Sequence, residues 1–206
     1  MVLWLSRIFA YIPLSIIHPT FVRGKKNLPK GKAILSCNHL SNWDAILYYL
    51  HTSQHLKILA KKELFKKGIA RWYLNHMGGI PIDREGNDIG AIKESIKALK
   101  ENKKLFVFPE GTRLKDDKEV LGELKSGMAL IAIKTKTPIV PIWNVKRPKA
   151  FRKSVFVIGK PFELDEFYGK KLDEETLKQA NAVVREKMLA LRDEALAPKK
   201  KKTKRA

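Results

Sequence analysis

Apolar and polar positions along this chain fall into blocks. Ala33-Ile34-Leu35-Ser36-Cys37, Leu56 to Ala60, Leu105-Phe106-Val107-Phe108, Ile139 to Trp143 and Val155 to Ile158 are short, nearly continuous apolar runs. Runs of this length read as strands, and continuous ones as strands buried on both faces. Phe21 to Gly31 adds a short strand and a turn, and Ile80-Pro81-Ile82 a strand that Pro81 places at an edge or an end. Between the strands the pattern turns helical. Ala45 to about His51 reads as a helix, as does Lys61 to Met77, with Gly68 weakening its middle. Asn87 or Asp88 caps a helix whose Ile89, Ile92, Ile96 and Leu99 recur at the spacing of one buried face. Ser126 to Thr135 reads as a largely buried helix. Leu177, Ala180, Val184, Met188 and Leu191 mark a last amphipathic helix, which Pro198 stops. Strands alternating with helices predict an α/β fold, a mainly parallel central sheet covered by helices.

The two ends break this pattern. Residues 1–17 are nearly all apolar, interrupted by Arg7 and Pro13. The run is too short and broken for the roughly 20 apolar residues of a membrane span. It has neither the basic start nor the cleavage site of a signal peptide. Trp4, Phe9 and Tyr11 suit a bilayer interface. The expectation is an amphipathic, membrane-surface helical segment over 1–20; the alternative is a helix packed on the protein's own core. Residues 21–197 form the folded domain, and 198–206 a basic, disordered tail.

Composition narrows the partners. Across 206 residues, 42 lysines and arginines face 21 acids, a net charge of +21. Such a surface seeks polyanions: nucleic acid, anionic lipid headgroups or an acidic carrier protein. The single cysteine, Cys37, excludes an internal disulfide and a multi-cysteine metal site and fits a reducing compartment. It reads as a small buried hydrophobe, with a nucleophile beside His39 as the alternative.

Candidate chemistry gathers at strand ends. Asn38-His39-Leu40-Ser41-Asn42-Trp43-Asp44 sits where a strand hands over to a helix, the place where open α/β sheets bind ligands. A neutral imidazole takes a proton from a hydroxyl near neutral pH, and a carboxylate on its other nitrogen fixes the tautomer. Ser41-x-x-Asp44 equally matches a capping box, in which these side chains serve only the helix start. Asp83 and Arg84 follow a second strand, and Glu110, Gly111, Thr112 and Arg113 a third. In a parallel sheet these ends share one edge. The guanidinium forks of Arg84 and Arg113 match phosphate oxygens, although each also has a carboxylate near it to pair with. No Walker-type phosphate loop, metal-binding His-Glu-x-x-His helix, helix-turn-helix or zinc finger is present. A hydrolase would want a Gly-x-Ser-x-Gly turn, also absent. The mixture of acids and bases at the strand ends argues against a nucleic-acid module.

Taken together these residues resemble the glycerolipid acyltransferases, in particular the bacterial 1-acyl-glycerol-3-phosphate acyltransferases. Asn38-His39-x-Ser41-x-x-Asp44 is similar to their first motif, Gly79-Ile80-Pro81-Ile82-Asp83-Arg84 to their second and Phe108-Pro109-Glu110-Gly111-Thr112-Arg113 to their third. Lys125-x-Gly127 and Ile139-Val140-Pro141-Ile142 sit where the family has a Lys-x-Gly element and a fourth motif. Leu114 departs from the family's usual Ser or Thr. The resemblance covers roughly residues 20 to 160. It implies single-step acyl transfer from acyl-carrier protein or acyl-CoA to the free hydroxyl of lysophosphatidic acid. His39 would be the general base and Asp44 its orienting acid. Arg84, Glu110, Gly111, Thr112, Arg113, Asn38, Ser41 and Lys125 would bind substrate, with backbone N–H groups near the His39 turn on the oxyanion. It implies no metal or other cofactor, and a place on the cytoplasmic face of the cell membrane. A glycerol 3-phosphate or other lysolipid acceptor is the nearest alternative.

Overall fold

The computed structural model describes residues 11–52, 56–66, 68–83, 88–114 and 120–198. Residues 11–17 form α1. The strands are β1 (Thr20–Arg23), β2 (Ala33–Cys37), β3 (Leu56–Lys61), β4 (Gly79–Ile82), β5 (Lys104–Val107), β6 (Ile139–Asn144) and β7 (Ser154–Ile158). The remaining helices are α2 (Asp44–Thr52), α3 (Gly68–His76), α4 (Ile89–Lys100), α5 (Ser126–Thr135) and α6 (Glu174–Leu196). The strands form one sheet in the order β1-β7-β6-β2-β5-β3-β4. Five of them, β6, β2, β5, β3 and β4, run the same way, so their carboxyl ends share one edge. At β7 the chain turns back antiparallel to β6, and β1 pairs parallel with β7 at the far side. The mostly parallel α/β sheet is therefore the one expected, with a reversed pair added at one end.

Alternate residues of each strand point to opposite faces, which gives the sheet two cores. Ile34, Leu105, Val107 and Ile139 pack under α4, α5 and α6, where Leu99, Met128, Ile131, Val184 and Met188 are buried. Leu35, Phe106, Ile142 and Phe156 face the other way, against Leu47 and Tyr48 of α2 and Met77 beyond α3. All five apolar positions expected to define the last helix are buried. Cys37 is wholly buried, and burial pushes its thiol well above the usual range, so it sits as a core residue and not as a nucleophile.

Two local expectations are corrected. Lys61 to Met77 is not one helix: a single 3-10 turn, Lys62–Phe65, precedes α3, which begins at Gly68 with φ of +71°. That backbone angle belongs to glycine and breaks a helix. In α4 the buried face is Ala91, Ser95, Ala98 and Leu99, while Ile89 is 63% exposed. The Asp88 carboxylate caps Ala91 N–H, and in that first turn Ala91 is buried while Ile89 and Gly90 are exposed. Residues 1–10, the charged loop at 115–119 and the tail at 199–206 lie outside the described residues. Among the described residues no helix is long and apolar enough to cross a membrane.

Candidate active site

The His39 turn is held by the carboxylate that opens α2. Asp44 is wholly buried, and its Oδ2 accepts Leu40 N–H and Ser41 N–H, both at 2.7 Å, and faces His39 Nδ1 at 3.1 Å. Its Oδ1 accepts from Asn144 Nδ2 at 2.9 Å. Asp44 therefore does both things the sequence left open: it caps the helix and it fixes the imidazole. With the carboxylate accepting at Nδ1, the neutral ring carries its proton there and Nε2 is the basic nitrogen. His39 is 6% exposed and stacks on Phe108 at 3.8 Å between ring centroids. Its Nε2 has no partner among the described residues, yet is not one of the enclosed, unbonded polar atoms.

Most backbone N–H groups of the turn, where oxyanion donors are expected, are engaged within the protein. His39 N–H goes to Glu110, Leu40 and Ser41 N–H to Asp44, Trp43 N–H to Ser41 Oγ and Asp44 N–H to Ser41 O. Asn42 N–H, between them, has no acceptor among the described residues. Ser41 serves the turn through its hydroxyl.

Glu110, in the turn after β5, ties the His39 turn after β2 to the segment that leads into α5. Its Oε2 accepts His39 N–H at 3.1 Å and its Oε1 accepts Gly122 N–H at 3.3 Å. Leu114 N–H donates to His39 O, and Lys125 N–H to Pro109 O. Gly111 adopts φ of +68°, the left-handed angle that lets the chain turn straight after the glutamate. Burial dominates Glu110 and raises its pKa from the usual 4.5 to about 7, against the two N–H bonds. The sign of the consequence follows. Between those two values the folded chain holds a proton that the unfolded chain has released, so raising the pH favours unfolding. Urea unfolding below pH 4.5 and above pH 7 is expected to show a loss attributable to Glu110 of about 3 kcal/mol. Glu110→Gln should remove that component; an unchanged pH dependence in the variant would mean Glu110 titrates normally.

Beside the dyad a cleft of about 800 Å³ opens over the carboxyl ends of β3, β4 and β5, between α4 and α5. Leu59, Val107, Ile92, Met128 and Ile131 make its apolar wall, and Asp83, Glu110, Thr112, Arg113 and Lys125 its polar part. Thr112, Arg113 and Lys125 are exposed and free to meet a ligand. Gly111 lines the cleft as well. His39 and Asp44 are not lining residues; they adjoin the cleft through Phe108, which His39 stacks on, and Glu110, which its amide binds. Arg84 lies outside the described residues, while Asp83 and Asp88 on either side of it line the cleft. Asn38 is corrected: it is 1% exposed and both ends of its amide are taken by the Asn144 backbone, Oδ1 from N–H at 2.7 Å and Nδ2 to O at 3.1 Å. It joins strand ends and does not line the cleft. Among the described residues no three His, Cys, Asp or Glu side chains converge as metal ligands.

Two site residues escaped the sequence reading. Asn144, at the end of β6, receives Asn38 on its backbone and holds Asp44 with its side chain. Arg147 donates to Leu40 O at 2.7 Å and to Leu114 O at 3.1 Å, clamping the first and third polar clusters together. Both lie more than a hundred residues from His39 and in no motif of their own. The one available signal was Asn144, a polar residue ending a fully buried strand.

A family model described as Acyltransferase matches residues 20–145 of this chain. The chain belongs to the acyltransferase family. Among its relatives is the chloroplastic 1-acyl-sn-glycerol-3-phosphate acyltransferase BAT2 of Brassica napus, 31% identical over 68% of this chain and 41% of that protein. The 1-acyl-sn-glycerol-3-phosphate acyltransferases of Streptococcus pneumoniae and Bacillus subtilis are 37% and 34% identical, over 53% and 58% of this chain and 40% and 59% of theirs. This acyltransferase-family chain thus matches about half the length of these relatives. The crystal structure of PlsC, the 1-acyl-sn-glycerophosphate acyltransferase of Thermotoga maritima, shares the fold with a TM-score of 0.67. That likeness extends over 94% of this chain and 78% of PlsC at 24% identity.

Proposed function

We propose that this chain transfers a fatty acyl group from an acyl thioester to the sn-2 hydroxyl of lysophosphatidic acid, giving phosphatidic acid. The observation that carries the reading is the His39–Asp44 pair at 3.1 Å, set beside a cleft with Arg113 and Lys125 at its polar end. The relatives' names support the choice of acceptor. His39 Nε2 takes the proton of the acceptor hydroxyl. The oxygen then attacks the thioester carbonyl, the tetrahedral adduct collapses, and the thiolate leaves with the proton returned by the imidazolium. Asp44 holds the ring and balances its charge. Arg113, Lys125 and, from its sequence position, Arg84 bind the phosphate; Thr112 and the Gly111 backbone complete that end, and the apolar wall takes hydrocarbon. Glu110 acts by holding the His39 turn. The donor is acyl-carrier protein or acyl-CoA, both acidic partners for a chain of charge +21. The protein works from the cytoplasmic face of the cell membrane, attached through its N-terminal segment and basic tail.

A purified-chain assay crossing lysophosphatidic acid, glycerol 3-phosphate and monoacylglycerol with both donors tests this reading. Product is expected fastest with lysophosphatidic acid; no product from it with either donor would end the proposal. In the same assay Arg113→Ala should lower kcat/KM for lysophosphatidic acid about 10- to 100-fold, the worth of a charge-assisted hydrogen bond. Monoacylglycerol turnover should not change. An equal loss on both acceptors would remove Arg113 from the phosphate.

A further inference from the structure

The connection from β6 to β7 carries Lys146, Arg147, Lys149, Arg152 and Lys153 around a single phenylalanine, with no acid among residues 145–153. Lys146, Lys149, Arg152 and Lys153 are exposed. Phe151 is 76% exposed, more than any other large hydrophobic side chain among the described residues, and its φ is +58°. An aromatic residue at that backbone angle is uncommon and costs conformational energy. It holds a bare phenyl ring at a loop tip where folding would favour glycine or asparagine.

The tip does not stand alone. Phe151 N–H donates to Ile17 O at 2.6 Å and Ser154 N–H to Pro19 O at 2.8 Å, so the connection is sewn to the end of α1. On α1 itself Ile12 and Ile16 are 59% and 64% exposed. Lys153 lies 5.9 Å from the ring centre of Phe21, which is 52% exposed. His18, next to Ile17, packs its ring 5.2 Å from Trp43, which is 40% exposed and immediately precedes Asp44. Through Arg147 the same connection is clamped to Leu40 and Leu114. Bare apolar side chains ringed by cations thus reach from the loop tip to the turn that carries His39.

We propose that the β6–β7 connection, joined to the end of α1, adds a membrane contact of its own to that of the N-terminal segment: Phe151 enters the interfacial layer of an anionic phospholipid bilayer while Lys149, Arg152 and Lys153 bind headgroup phosphates. The chemistry favours a bilayer over an acidic protein. Isolated apolar side chains projecting between cations suit a soft, anionic, apolar-cored surface, whereas an acidic protein would use the cations and leave Phe151, Ile12 and Ile16 in water. Bound this way, the Arg147 clamp and Trp43 set the His39 turn against the lipid; that last step rests on the acceptor being a lipid, as proposed above.

The test uses the full chain, vesicles of phosphatidylcholine and vesicles of phosphatidylcholine mixed with phosphatidylglycerol. Phe151→Gly removes the ring and suits the backbone angle, so the variant should fold at least as well as the parent. It is expected to bind mixed vesicles about tenfold more weakly, with Phe151→Trp restoring binding. Arg152→Ala and Lys153→Ala should each cost about fivefold on mixed vesicles and nothing on neutral ones. Phe151→Cys allows a polarity-sensitive dye to be placed at the tip, since the chain's one native cysteine, Cys37, is buried. The dye should shift to the blue on mixed vesicles. Parental binding by Phe151→Gly, or an unshifted dye, overturns the proposal. So does a weakened interaction with acyl-carrier protein in place of weakened vesicle binding. Turnover of a water-soluble, short-chain acceptor, run alongside, should be the same in Phe151→Gly and parent; a loss there would make the residue structural and also overturn it. Vesicle results as expected with no acyl transfer by the parent would sink the proposed function alone. Acyl transfer with vesicle binding indifferent to Phe151 would sink this inference alone.

Discussion

His39→Ala is expected to lower kcat for lysophosphatidic acid by about 10²- to 10⁴-fold, the range that a positioned general base contributes. The geometry makes the effect specific to kcat. The ring is 6% exposed, its Nδ1 is committed to Asp44, and the polar part of the cleft is built from other residues, so acceptor affinity should barely move. Losing the ring also removes a stacked contact with Phe108 at 3.8 Å. His39→Gln controls for that packing, because its amide can donate to Asp44 but cannot accept a proton. Both variants should therefore be slow, with KM close to the parent's. Turnover of His39→Ala within about tenfold of the parent would remove the base from the account.

Asp44→Ala should damage both folding and turnover. It removes a wholly buried acceptor, leaving His39 Nδ1 and Asn144 Nδ2 unpaired in the interior and Leu40 and Ser41 N–H unpaired at half-buried positions. A buried donor left unsatisfied costs about 1–3 kcal/mol, so urea unfolding should show a loss of several kcal/mol. Asp44→Asn separates the two roles. Its single oxygen can keep some of the capping bonds, while the amide cannot balance an imidazolium and favours the wrong ring tautomer. The corresponding change in a Ser-His-Asp triad costs about 10⁴ in rate. A variant that folds nearly as well as the parent but turns over hundreds of times more slowly is the expected outcome for asparagine. If Asp44→Asn kept parental turnover, Asp44 would be a helix cap and nothing more.

Strand positions and the shared edge were legible because continuous apolar runs of strand length, spaced by helical stretches, admit few arrangements. Ser126–Thr135 was bounded correctly, since an apolar helix must be buried. The three polar clusters were legible as strand-end features, and β2, β5 and β4 do run the same way. What local pattern could not supply was long-range pairing. Asn38 is expected at the substrate only through the family resemblance, and nothing near it in the chain points to its partner, Asn144, across β2 and β6. Arg147 was invisible for the same reason. Glu110 read as a substrate contact, and only the fold reveals that both its oxygens serve backbone amides. In α4 hydrophobicity pointed to Ile89, but close packing there selected Ala91, Ser95 and Ala98. Phe151 carries no periodic signal at all, being an aromatic in a basic loop.

The idea under most strain is that one imidazole, without a covalent acyl-enzyme, moves the acyl group in a single step. Thiol release from an acyl thioester, followed with and without lysophosphatidic acid in the parent and in His39→Ala, measures it directly. Release is expected to need the acceptor and His39 together, with no burst before acceptor is added. A burst of one thiol per chain in its absence, or acceptor-dependent release that survives in His39→Ala, would contradict the mechanism.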